Sequence, residues 1–341
     1  MKTFFSATAI ALALSAGAAL AADLPALKAP LAPLLPPPPM WTGFYLGLNA
    51  GYSFGASNNV EVATANVYDS LGPSGFLAPL VIDPRAGSAG LAASGTGYGQ
   101  RNGFIGGGQV GYNYQFGNSF LVGLEADLQG AGIRSDNSFV GGSSWNAFNV
   151  TGPLGILSAS FNRSAAGTTT VTSRTDWLGT VRGRLGYIWG PSLLIYATGG
   201  LAYGGAHATT NQSYFVNNNL SVSAGGVQLA ALNVPYGSIG GTARYDESRI
   251  GWTVGGGIEW LFAPNLSFKA EYLYYDLGTV HYLNGPLTAV GPSLTVLGFT
   301  SPQLTTINQG TTRVKFDGHI ARVGINYHFI SAPVVPVVAR Y

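Results

Sequence analysis

The chain has 341 residues, of which 9% are charged, against roughly 25% in ordinary soluble proteins. Its formal charge of +2 gives no basic field for nucleic acid, and the absence of cysteine excludes disulfides, thiolate metal sites and Cys nucleophiles together. With 50 glycines and 12% aromatic residues, so sparse a charge content reads as a chain that faces lipid.

The N-terminus begins with Lys2, continues as an apolar, small-residue run from Phe4 to Leu20, and reaches the A-x-A triplet Ala19-Leu20-Ala21. That pattern predicts a secretory signal over 1–21, cleaved after Ala21. Residues 22–40 follow as a Pro-rich spacer, with four consecutive prolines that can neither donate to a ladder nor build a helix. Every later apolar run is interrupted by charge or glycine before the ~20 residues a spanning helix needs.

From Trp41 onward, eight runs alternate with period 2, the strand signature. They lie at about 41–54, 103–116, 119–134, 175–189, 192–206, 248–262, 265–280 and 312–329. Tight turns at Gly117-Asn118, Gly190-Pro191-Ser192 and Ala263-Pro264-Asn265 join three pairs of them. The other four connections, about 55–102, 135–174, 207–247 and 281–311, are long and rich in Gly, Ser, Thr and Asn. Strict alternation of short and long connections predicts an all-β fold over 41–330. The expected architecture is an eight-stranded antiparallel transmembrane β-barrel with short periplasmic turns and four long extracellular loops.

Parity within the runs assigns the faces. Val181, Leu185, Tyr187 and Trp189 alternate with Arg182 and Arg184, and Leu124, Ala126 and Leu128 with Glu125 and Asp127. Ile258 and Trp260 flank Glu259, Phe268, Ala270 and Tyr272 flank Lys269 and Glu271, and Val323 and Ile325 alternate with Arg322. The apolar parity faces lipid and the charged parity faces a lumen. The expected lumen network is Glu125, Asp127, Glu259 and Glu271 against Arg182, Arg184, Lys269 and Arg322. Equal numbers of each sign suit a narrow, filled interior, where one unpaired charge costs about 3–5 kcal/mol. Arg313, Lys315, Asp317 and His319 have the opposite parity from Arg322; either they lie above the bilayer or a bulge intervenes. Trp41, Trp177, Trp189, Trp252, Trp260, Tyr274 and Tyr327 fall near run ends, where an aromatic girdle is expected.

The segments "WTGFYLGLNAGYSFG", "WLGTVRGRLGY", "GWTVGGGIEW", "FKAEYLYYDLG" and "ARVGINYHF" resemble the porin-like outer-membrane β-barrel family of alphaproteobacteria. That family is similar in fold to the OmpA transmembrane domain and to opacity-type surface antigens. The resemblance implies location in the cell outer membrane and, as partners, outer-membrane lipid and lipopolysaccharide, with barrel-assembly machinery during biogenesis. Such barrels usually end on a terminal aromatic, as Phe329 would be; here a tail, 331–341, follows, and either Phe329 or Tyr341 supplies the ending.

No catalytic, cofactor-binding or metal-binding residue emerges. His207 and His281 lie in predicted loops without an arranged carboxylate or Ser partner, and His319 and His328 sit in the last run. "GFIGGGQVG" imitates a dinucleotide loop but lies inside a strand with no helix after it. The expected role is structural, with surface interaction through the long connections; a porin-type small-solute channel is the alternative. A selective pore would carry uncompensated charge rings, and this lumen is balanced.

Overall fold

A computed structural model describes residues 40–57, 59–70, 89–117, 119–151, 157–296 and 299–330. The predicted signal, nearly all of the Pro-rich spacer and the tail after residue 330 lie outside them. Among the described residues ten strands occur in chain order: β1 (Gly43–Gly55), β2 (Asn59–Asp69), β3 (Gly95–Tyr98), β4 (Asn102–Phe116) and β5 (Phe120–Thr151), then β6 (Leu157–Trp189), β7 (Leu193–Ala224), β8 (Val227–Ala263), β9 (Leu266–Val296) and β10 (Phe299–Ile330). Eight of them close a ring in the order β1-β4-β5-β6-β7-β8-β9-β10 and back to β1. All ring neighbours are antiparallel. Each of these eight contains one of the runs read from the sequence. β2 and β3 form an extra hairpin on the extension of β10.

The long connections differ from the expectation of loops. β5 continues to residue 151 and β6 starts at 157; β7 and β8 are separated only by Gly225-Gly226; β9 reaches 296 and β10 starts at 299. Only 55–102 keeps irregular structure among its described residues, with a short 3-10 turn at Ala89–Ala93. The physical reason is that alternation persists with weaker contrast. In β7, Tyr214, Val216, Leu220 and Val222 point inward and are buried, while Phe215, Asn217, Asn219 and Ser221 point outward. An alternating strand pairs along its whole length wherever one face has a core to join.

That core changes shape along the molecule. β8 and β9 pair only from Trp252↔Asp276 down to their short turn. On the other side β1 ends at Gly55 and β4 begins opposite Arg134. Beyond those points the wall opens into two facing sheets, β5-β6-β7-β8 and β9-β10-β2-β3. Phe161, Tyr214, Val216, Ile239, Leu287 and Leu304 fill the space between them. The end away from the short turns, hereafter the far end, is therefore a β-sandwich raised on a closed ring.

Extra residues mark the transition. Between Arg174 and Leu178 β6 gains one residue relative to β7, and β9 gains one relative to β10 next to Gly278, whose φ is +86°. Both insertions flip inward parity: Leu178 and Thr180 below, but Ser173 and Val171 above; Tyr275 and Leu277 below, but Val280 and Tyr282 above. The suspected bulge in β10 thus lies in its neighbour. Arg313 and Lys315 point outward beyond the apolar band, and His319 stacks on Phe54 at its edge. Asp317 is covered by Ser57, Lys315 and Tyr274.

Candidate functional site

Around the ring the outward residues are large and apolar. Leu48, Phe104, Leu124, Leu185, Ile250 and Ile325 each stand more than half exposed. Water would penalise such a surface, and lipid does not.

The inward face is a solid cross-section. All eight expected lumen charges are buried, none more than 5% exposed. Register alone brings several together, because Glu125 lies directly opposite Arg182, Glu259 opposite Lys269 and Glu271 opposite Arg322. Arg182 is the hub. Its guanidinium donates to Glu271 and Asp127 at 2.9 Å each, to Thr180 Oγ1 at 2.8 Å, and to Glu125. Lys269 Nζ donates to both oxygens of Glu125, at 2.8 and 2.9 Å. Arg322 bonds Glu271 at 2.7 Å through Nε and Asp127 at 2.9 Å through Nη2. Arg184 donates to Glu259 at 2.7 Å while lying 4.0 Å over the Tyr196 ring. Glu125, Asp127 and Glu271 therefore each meet at least two cationic side chains and Glu259 meets Arg184, the arrangement that lets buried charge offset its desolvation.

Uncharged partners complete the layer, and parity arguments about charge passed over them. Tyr45 Oη donates to Glu125 at 2.5 Å and Tyr196 Oη to Glu271 at 2.9 Å. Ser267 and Asn326 both donate to Glu259 at 2.6 Å, and His328 Nε2 lies 3.2 Å from the same carboxylate. Two inward glycines make room for the tyrosines. A Cβ on Gly111 would collide with the Tyr45 ring, and one on Gly257 would sit 2.7 Å from Tyr196 Oη. The available signal was Tyr45 itself, standing on the parity of Asn49 and Ser53 between outward Phe44 and Leu46.

Apolar layers seal both sides. Toward the short turns, Trp41, Leu121, Ile188, Leu194, Tyr196 and Leu261 pack together. This corrects one expectation: Trp41 does not join an outer girdle but is 1% exposed, edge-on to His328 at 5.7 Å. It precedes β1, so the chain entering the ring folds across its mouth and the indole closes it. Trp189, Trp252, Trp260 and Tyr327 do point outward and are about half exposed or more. Trp177 packs against Tyr203, and Tyr274 against Trp252. On the far side of the charge layer come Ile105, Ile133, Val171, Leu277, Val280 and Phe316, among others. Above these, Thr210, Tyr282, Thr312 and Asn284 form a hydrogen-bonded layer. The histidines form no metal cluster; no group of three or more His, Cys, Asp or Glu suited to a metal occurs among the described residues.

A closed antiparallel ring with an apolar exterior, an ion-paired interior and aromatic residues at the band edges defines an outer-membrane type of β-barrel. Comparison with known proteins agrees. Residues 8–329 match the family "Outer membrane protein beta-barrel domain", and the chain belongs to it. It is an outer-membrane protein. It is 29% identical over 319 residues to the 31 kDa outer-membrane immunogenic proteins of Brucella melitensis and Brucella suis, covering 93% of this chain and 96% of theirs. A 22 kDa outer membrane protein of Rhizobium leguminosarum is 28% identical over 180 residues, 52% of this chain and 54% of its own. Among solved structures, OprG of Pseudomonas aeruginosa aligns over 85% of this chain and 97% of its own, at 10% identity and a TM-score of 0.29.

Proposed function

We propose that the protein is a non-conducting, non-enzymatic barrel that contributes to envelope integrity and presents its far end outside the cell. Its partners in this reading are outer-membrane lipid and lipopolysaccharide, with barrel-assembly machinery during biogenesis. The observation that carries the proposal is the filled cross-section, which supports a closed interior: three consecutive layers of buried side chains, Trp41 and its neighbours, the eight charges, then the Ile133–Phe316 core. A porin-type channel would have to break ion pairs on every face of Arg182. The far-end sandwich supports the surface role, since β6 and β7 rise well past the ~9–11 residues a spanning strand requires.

Single-channel recording of purified protein in planar bilayers tests this. We expect no steady ionic conductance in the wild type; long-lived open levels at physiological salt would overturn the closed-barrel reading.

A further inference from the structure

The outward face of the far-end sheet has a composition that exposure to water alone does not explain. Residues 138–144 of β5, 158–172 of β6, 211–223 of β7 and 230–242 of β8 contain one charged residue, Arg163, and it is turned inward and buried. An ordinary water-facing surface carries about 25–35% Lys, Arg, Glu and Asp. Here the outward positions are mainly Ser, Thr, Asn and small residues, held in rows by strand register, with Val140, Phe215 and Leu232 as the large apolar side chains among them. Ser138, Thr170, Asn211 and Thr242 form one such row. Thr170 Oγ1 donates to Ser138 Oγ at 3.4 Å and Thr242 Oγ1 to Asn211 Oδ1 at 2.7 Å. Successive rows repeat about every 6.8 Å along the strands, with neighbours about 4.8 Å apart across them. Among the described side chains of this floor, one aromatic ring stands free. Phe215 is 62% exposed, directly opposite Ala166 and Ser238, so small side chains leave both of its flanks open.

An uncharged floor of hydroxyls and amides around one open ring fits a neutral polyhydroxylated ligand. The C–H face of a sugar packs on the ring, and its hydroxyls exchange hydrogen bonds with Thr and Asn. We propose that this face is a carbohydrate platform and that its occupant is the polysaccharide of lipopolysaccharide. The choice of occupant follows from continuity, and it rests on the reading that the far end lies outside the cell. β6 and β7 run unbroken from the lipid-facing band onto this face. Whatever stands on the outer-leaflet lipid therefore stands beside it.

The test uses full-length protein in phospholipid nanodiscs, titrated with lipid-free polysaccharide released from lipopolysaccharide. We expect saturable binding that Phe215→Ala weakens by roughly tenfold, the loss of one stacking contact. Leu283→Ala, an equally exposed apolar position on β9 in the opposite sheet, leaves binding unchanged. Folding of each variant is verified by its unboiled gel mobility. Because the chain has no cysteine, labelling of Gln228→Cys, an exposed position beside the Gly225-Gly226 turn and outside the platform, by an impermeant maleimide on intact cells reports the orientation independently. Labelling without saturable binding, or equal binding by Phe215→Ala, overturns the platform while leaving the orientation standing. Equal affinity for dextran overturns the assigned occupant. Failure of Gln228→Cys to label overturns both readings.

Discussion

Arg182 concentrates the energetics of the interior in one side chain. It is 1% exposed and reaches three carboxylates on two other strands, β5 and β9. Removing one partner of a buried pair typically costs about 3–5 kcal/mol, because the stranded charge keeps its desolvation penalty. Arg182→Ala is expected to lose that much in urea unfolding from lipid vesicles. Since Arg182 touches Glu125 and Glu271 alike, Glu271→Gln and Glu125→Gln should each restore part of the loss. Val181→Arg, one residue away, fails for another reason: Val181 faces outward, and an arginine near the bilayer midplane costs ~2–4 kcal/mol. No lumen substitution should rescue it. Additive double mutants on a wild-type-like Arg182→Ala background would mean that the ion pairs carry no energy.

At the scale of the strand, the opening of the wall makes a contrast between β7 and β8. β7 is hydrogen-bonded to β6 and β8 along its length, whereas β8 above Trp252 pairs with β7 alone. Edge amides are the first to exchange with solvent. In deuterium exchange, residues 208–224 should be strongly protected, while the unpaired amides of residues 227–250 exchange orders of magnitude faster. Equal protection of both would mean that another chain or segment completes the edge. The edge carries its own deterrents, Pro235 and Gly237 at φ +76°. These strand extensions were only half legible. The ring strands announced themselves because Leu, Phe and Trp alternate with Arg and Glu, a contrast no loop sustains. In β7 the alternation is Val and Tyr against Asn and Ser, which a surface loop imitates. The parity flips in β6 and β9 were not legible, since an inserted residue changes register without changing composition. Trp41 misled for a related reason. As a residue before the strand it obeys no parity, and only its packing against Leu121, Ile188 and Leu261 decides which way the indole turns.

For the molecule as a whole, ring and sandwich divide the work, and the division can be tested by cutting the chain. The exposed Gly225-Gly226 turn joins β7 to β8 at the far end, with both glycines at positive φ. A protease acting there breaks one covalent bond, but the two strands stay paired from Ala224↔Val227 to Leu193↔Trp260, and the charge layer that locks the ring lies near the opposite end. A barrel held by its closed hydrogen-bond circuit and buried ion pairs does not need that turn. Nicked protein is therefore expected to keep β-type circular dichroism in detergent and to run unboiled as a single folded band. Boiling should release two fragments that meet at residues 225–226. Dissociation without boiling would place the stability in the covalent connection and the sandwich core instead of the ring.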